Sequence, residues 1–144
     1  MKLSEILKPL QMVHVGTVEG AYPKLRPMTM IYYAGGFWFA TGSKDAKTAQ
    51  LKDNPHAIWS LIIPGEGCTG YLKGEGKMRE ERDHAVRKAI ADHAKFLYDY
   101  WQDAADPDFI LYEMQISALR YMKPGAMYEE DITEVYLQDK ALLQ

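Results

Sequence analysis

Cysteine is nearly absent from this chain, which has 144 residues and a single cysteine at position 68. Cys68 cannot form an internal disulfide, and no motif around it indicates a catalytic nucleophile, so a small buried or strand-edge thiol is the better interpretation. Long apolar runs are also missing, both one long enough to span a membrane and one typical of a secretory signal. From these absences we expect a cytoplasmic protein with no membrane partner.

An excess of positive charge is missing as well. The chain carries 17 Lys and Arg residues against 20 Asp and Glu residues, which gives a formal net charge of -3. Proteins that bind nucleic acid usually concentrate Lys and Arg on one surface, so we do not expect a nucleic-acid partner. The four histidines show no metal-ligand spacing, since His84 and His93 fall on roughly opposite sides of one predicted helix. No metal site is predicted.

Hydrophobic residues make up 47% of the chain, enough for one compact domain over residues 1–144. Alternating apolar residues bounded by Gly and Pro turns predict six strands, at 12–18, 24–33, 37–41, 56–63, 68–78 and 109–122. Helical spacing predicts a short helix capped by Ser4, a second over 46–52 and a longer one over 80–101, while 127–144 remains unassigned. Short turns between the strands favour a mainly β fold with flanking helices, a six-stranded antiparallel barrel.

Two segments, 26–30 and 39–47, place basic and hydroxyl side chains on a predicted strand and at a strand-to-helix turn. Asp45 is the predicted N-cap of the helix that follows. Because the amide hydrogens of a helix start are unpaired and lie at the positive end of the helix dipole, an anion is favoured there. The two segments therefore predict a phosphate-binding site.

Side chains near this turn strengthen the prediction. Lys44 and Lys47 add positive charge, and Thr41 and Ser43 can donate hydroxyl hydrogen bonds. A lone lysine is more often a solvated surface residue. Arg26 on the neighbouring segment favours the binding interpretation over that alternative.

Aromatic residues are numerous for a small barrel. Two interpretations are open for six of them, since each either packs in the core or faces a ligand or partner subunit. The six are Tyr32, Tyr33, Trp38, Trp59, Tyr71 and Tyr112.

At these residues the chain resembles the pyridoxamine 5'-phosphate oxidase-like FMN-binding split barrels, especially the short general-stress-protein type. The resemblance is carried in order by Gly16-Thr17 with Gly20 and Pro23, by Arg26-Pro27-Met28, by Phe39-Ala40-Thr41, and by Lys47 with Gln50-Leu51 and Asn54-Pro55. It covers about residues 12–78, and beyond them the order of helix and strand agrees. It implies a split β-barrel.

The resemblance also implies a cofactor, FMN. Arg26 and Lys47 would bind its phosphate, Met28 and Thr29 would meet the flavin through backbone groups, and Ala40 and Thr41 would line the site. Thr69 aligns where a Gln commonly reaches the flavin ring. The candidate cofactor-binding residues are Arg26, Pro27, Met28, Thr29, Ala40, Thr41, Ser43, Lys44, Lys47 and Thr69. In this family FMN usually lies at a dimer interface, so a homodimer is implied.

The function implied is that of an FMN-dependent oxidoreductase acting on a small molecule, in which no side chain needs to be a catalytic acid. The oxidases proper carry a Lys at the position of Ile31 and an Arg at that of Ala46, and they end in an Arg-x-His segment that is missing after Tyr121. True pyridoxamine phosphate oxidation is therefore not expected.

Other interpretations remain open. The strand end formed by Arg120, Tyr121 and Met122 either shapes the pocket or packs on its own barrel. The alternative function is flavin or haem binding without turnover, as in a sensor or stress-related protein. Binding of the deazaflavin F420 calls for a longer basic groove than this sequence offers.

Overall fold

Six long strands follow one another in the computed structural model, which describes residues 2–143. They are β1 (Leu10–Glu19), β2 (Tyr22–Tyr33), β3 (Gly36–Gly42), β4 (His56–Gly65), β5 (Cys68–Glu81) and β6 (Phe109–Met122), followed by the two-residue β7 (Glu130–Asp131). The helices are α1 (Ala46–Asp53), α2 (His84–His93) and α3 (Thr133–Leu142), with 3-10 segments at Leu3–Glu5 and Lys95–Asp99.

The strands close into a barrel. Their order is β3-β2-β1-β4-β5-β6-β7, and β3 also pairs with β6, where Trp38 to Gly42 lie opposite Glu113 to Phe109. All pairings are antiparallel. Closure pairs strands that would otherwise be edges, and it confirms the six-stranded antiparallel barrel predicted from the sequence.

The barrel is split between β2 and β3. The two strands pair only near their hairpin, where Ile31, Tyr32 and Tyr33 lie opposite Trp38, Phe37 and Gly36. Beyond that point β2 continues to pair with β1, and β3 pairs with β6. One edge of β2 from residue 26 to residue 29 therefore has no β3 partner, and its backbone polar groups are available to other atoms.

Alternation along the strands produces two cores, one inside the barrel and one outside it under α2. Phe37 and Phe39 face the interior, while Trp38 between them faces the outer core. Of the aromatics left open above, Trp38, Trp59 and Tyr112 are buried and pack in these cores, whereas Tyr33 is exposed. Core packing is thus the main role of this group.

The helix predicted over 80–101 was wrong in its bounds. The predicted helix over 80–101 starts later, because β5 continues to Glu81 and Asp83 caps α2 by accepting hydrogen bonds from the amides of Ala85 and Val86. The chain leaves the α-helix at Ala94 and forms a separate 3-10 segment. This break lets the following aromatic residues turn toward β2 and β3.

Ser4 is not a helix cap. It lies inside the 3-10 segment Leu3–Glu5, which has no side-chain cap, and Leu10 already belongs to β1. Pro9 cannot donate a backbone hydrogen bond and restricts φ, which suits the start of a strand better than a helix interior.

The unassigned tail forms α3, which packs against the barrel. Tyr136 is buried and its ring centroid lies 5.4 Å from that of Phe37. It is the one buried residue of α3, so the helix has little apolar periodicity to detect. Within residues 2–143 no helix is both long and apolar enough to cross a membrane.

Candidate functional site

The guanidinium of Arg26 is held by uncharged partners. Its Nη1 donates to Thr17 Oγ1 at 2.7 Å and its Nη2 donates to Gln50 Oε1 at 3.0 Å. Thr17 and Gln50 are buried, and the Thr17 hydroxyl also donates to Gln50 Oε1 at 2.7 Å. These partners fix the orientation of the guanidinium without neutralising it. The charge of Arg26 is therefore available to an anion.

Lys47 lies in the first turn of α1 beside the cap, Asp45. Lys47 Nζ is 2.8 Å from Asp45 Oδ1, which also accepts a hydrogen bond from the Lys47 amide at 3.0 Å. Partial burial acts to raise the pKa of the Asp45 carboxyl, but the Lys47 hydrogen bonds and the charges of Lys47 and Arg26 hold that pKa below its ordinary value. Asp45 is thus in direct contact with Lys47 at the start of α1.

A cavity of about 220 Å³ opens where β2 and β3 separate. It is lined by residues of both strands, of α1 and of the segment after α2: Met28, Thr29, Ala40, Lys47, Phe96, Leu97, Tyr100 and Trp101. The lining is mainly apolar and aromatic, with one ammonium group. Such a surface suits a flat apolar ring system that carries an anionic group.

Asp108 ties the β3–α1 turn to the aromatic wall of this cavity. Its Oδ1 accepts hydrogen bonds from the Ser43 amide at 3.0 Å and the Ser43 hydroxyl at 2.7 Å, and its Oδ2 accepts one from Trp101 Nε1 at 3.1 Å. Hydrogen bonds from Ser43 and Trp101 lower the pKa of the Asp108 carboxyl. The tie is therefore present at neutral pH and is lost as the pH falls through this lowered pKa.

Residues 2–123 match the family described as pyridoxamine 5'-phosphate oxidase. The chain belongs to this family. No match was found among curated proteins.

Solved structures show the same fold. General Stress Protein 26 from Bacillus anthracis superposes with a TM-score of 0.67 at 17% identity, covering 90% of this chain and 95% of the other. An FAD-binding protein from Mesorhizobium loti gives 0.69 at 14% identity, covering 85% and 91%. A heme binding protein from Mycobacterium smegmatis gives 0.73 at 14% identity, covering 92% of this chain but 56% of that one. At these identities the similarity establishes the fold alone.

Four of the candidate residues line the cavity that this family member forms at the split: Met28, Thr29, Ala40 and Lys47. Arg26 does not line it but precedes Met28 by two residues on β2, where it donates hydrogen bonds to Thr17 and Gln50. Both donors of Ser43 are engaged by Asp108, so in this structure Ser43 supports the cavity wall.

The other candidates lie around or away from the cavity. Thr41 is buried on β3 opposite Ile110, and Pro27 and Lys44 are exposed. Thr69 lies opposite Pro64 next to the β4–β5 turn. Within one chain these residues do not line the cavity.

The strand end at residues 120–122 is also separate from the cavity. Arg120, Tyr121 and Met122 pair with Lys73, Leu72 and Tyr71 of β5, whereas β3 pairs with the opposite end of β6. They are not among the residues that line the cavity of their own chain.

Sequence reasoning missed the aromatic wall and the groups that support the basic residues. Phe96, Tyr100 and Trp101 lie where a continuous helix was expected, although their density after α2 was a usable signal. Thr17 and Gln50 belonged to the recognised pattern, but their role in orienting Arg26 required the contacts themselves.

Proposed function

We propose that this protein binds FMN at the split between β2 and β3 and uses it in an oxidoreductase reaction. The observation that carries the proposal is the position of two basic groups at the split: Lys47 lines the aromatic cavity, and Arg26, whose hydrogen-bond partners are uncharged, precedes Met28 by two residues on β2. One end of the site offers positive charge and the other offers apolar surface. This division matches a ligand with a phosphate at one end and a flat ring system at the other.

The residues present fit such a group. A phosphate monoester carries about 1.5 to 2 negative charges at neutral pH, and Arg26 brings a charge that its hydrogen-bond partners leave uncompensated. The unpaired edge of β2 at Thr29 offers backbone hydrogen bonds to polar edges of a ring system. Trp101 and Phe96 offer aromatic surface on which a ring can pack.

A bound flavin supplies the hydride or electron transfer. The chain supplies binding and orientation: Arg26 and Lys47 hold the phosphate, Thr17 and Gln50 keep the guanidinium aimed, and the wall fixed through Asp108 limits access of water. No acid or base from the chain is required for this transfer. The family match supports flavin chemistry, and the missing Arg-x-His segment argues for a small-molecule substrate other than pyridoxamine phosphate.

A second copy of the chain completes the site in this proposal. The cavity of about 220 Å³ is smaller than the roughly 300–1,000 Å³ usual for a small-molecule site, so one chain encloses part of the ligand. The outer face of β1, β2 and β4 carries exposed apolar side chains, Met12, Leu25, Ile58 and Ile62. Met12 lies opposite Thr29, so this face continues to the cavity. Exposed apolar side chains grouped on one sheet face in this way mark an interaction surface.

Haem is a weaker fit to this cavity. A haem-binding neighbour shares the fold, but the cavity residues identified in the described part of the chain include no histidine, and Met28 is the one thioether among them. The aromatic lining and nearby basic groups favour a flavin phosphate instead.

The test is reduction of bound flavin. Protein reconstituted with FMN and freed of excess is mixed anaerobically with NADH or NADPH while the flavin absorbance is followed. We expect bleaching faster than that of the same concentration of free FMN. Bound FMN that neither nicotinamide nor other small-molecule reductants bleach would instead support the non-catalytic binder, and failure to bind FMN would overturn the proposal as a whole.

A further inference from the structure

One acidic side chain, Asp45, contacts the proposed phosphate-binding residue Lys47. Asp45 Oδ1 contacts Lys47 Nζ at 2.8 Å. The side chain of Lys47 is 15% exposed, so its ammonium group is committed to Asp45 within a partly enclosed site. A phosphate that approaches Lys47 has to compete with this carboxylate.

We propose that Asp45 is a specificity-determining residue that weakens the hold on the flavin phosphate, so that the flavin is an exchangeable ligand and not a permanently bound cofactor. The inference rests on the proposed function, because it concerns the same site. Beyond that function, it assigns to Asp45 the limit on affinity for the phosphate, as distinct from affinity for the ring system.

The charges support this role. Arg26 and Lys47 would offer two positive charges to a phosphate of about 1.5 to 2 negative charges, but the carboxylate of Asp45 offsets the charge of Lys47. Glu19 is a second acid near Arg26. Its Oε2 accepts a hydrogen bond from Gln50 Nε2 at 3.1 Å and lies 4.0 Å from Lys24 Nζ. Asp45 is thus the acid in direct contact with Lys47, one of the two proposed phosphate-binding residues.

The structural role of Asp45 can be separated from its charge. As the N-cap of α1 it accepts a hydrogen bond from the Lys47 amide. Asparagine caps helices about as well as aspartate, so Asp45→Asn keeps the cap while removing the charge. The variant is therefore expected to fold like the wild type, which thermal unfolding checks.

The experiment measures equilibrium affinity and dissociation rate for FMN and for riboflavin, which lacks the phosphate, in wild type and Asp45→Asn. We expect Asp45→Asn to bind FMN about tenfold more tightly, which corresponds to about 1.4 kcal/mol, mainly through slower dissociation. Riboflavin affinity should stay unchanged. Asp53→Asn is the matched control, because it removes one exposed acid from the other end of α1.

The outcomes separate this inference from the proposed function. If the wild type binds FMN and Asp45→Asn binds it equally or more weakly, the inference is wrong and the proposed function stands. An equal gain in the Asp53→Asn control would also overturn it, because net charge would then explain the effect. If neither protein binds FMN or riboflavin, the proposed function itself fails.

Discussion

The double variant Arg26→Ala, Lys47→Ala is expected to bind FMN at least about a hundredfold more weakly than the wild type. Each hydrogen bond to a charged group contributes about 1.5–3 kcal/mol, so the loss of both basic groups removes about 3 kcal/mol or more. Every 1.4 kcal/mol is about a factor of ten in affinity. Flavin fluorescence titration measures the change, and the affinity for riboflavin should change far less.

Controls keep this prediction specific. Lys52→Ala with Arg82→Ala removes two exposed basic groups outside the cavity lining and should leave FMN affinity unchanged. Arg26 also donates hydrogen bonds to Thr17 and Gln50, so its loss affects the local structure. Lys47→Ala alone is therefore a second test with fewer structural consequences. Equal losses for FMN and riboflavin in properly folded variants would show that these residues do not recognise a phosphate.

Leu25→Glu is expected to convert a homodimer into monomers and to weaken FMN binding with it. Leu25 is 72% exposed on β2, so glutamate there costs the isolated chain little. In a dimer the same carboxylate would be buried against the apolar face of the second copy, which costs several kcal/mol, or about a thousandfold in the dimer dissociation constant. Sedimentation velocity over a range of concentrations measures the shift.

A matched control uses the same substitution elsewhere. Leu142 is 85% exposed on α3 and does not belong to the face formed by β1, β2 and β4, so Leu142→Glu should leave the dimer intact. A wild type that sediments as a monomer, or a Leu25→Glu variant that remains dimeric, would contradict the proposed interface.

Most strands could be predicted because they bury alternate side chains, as on β1, where Val13 and Val15 are buried and His14 between them is exposed. The helix over 80–101 was overextended because its apolar spacing continues through Leu97 and Trp101, whereas β5 and the Asp83 cap set the actual start. Apolar periodicity alone does not show that β5 continues to Glu81, two residues before the Asp83 cap.

The site was partly predictable. Arg26 and Lys47 stood out because of their charge and position, and Lys47 lines the cavity. The tie from Ser43 through Asp108 to Trp101 was not predictable, because Ser43 and Asp108 are 65 residues apart and no local pattern links them. Contacts of that kind follow from barrel closure, which brings Gly42 opposite Phe109.

A crystal structure of the protein with FMN tests the central claim most directly. The account predicts the phosphate within hydrogen-bonding distance of both Arg26 and Lys47, with the ring system at the β2–β3 split against Thr29 and Ala40. A phosphate located elsewhere would contradict it, for example in the cavity of about 490 Å³ on the other side of α1 lined by Glu19 and Asp53.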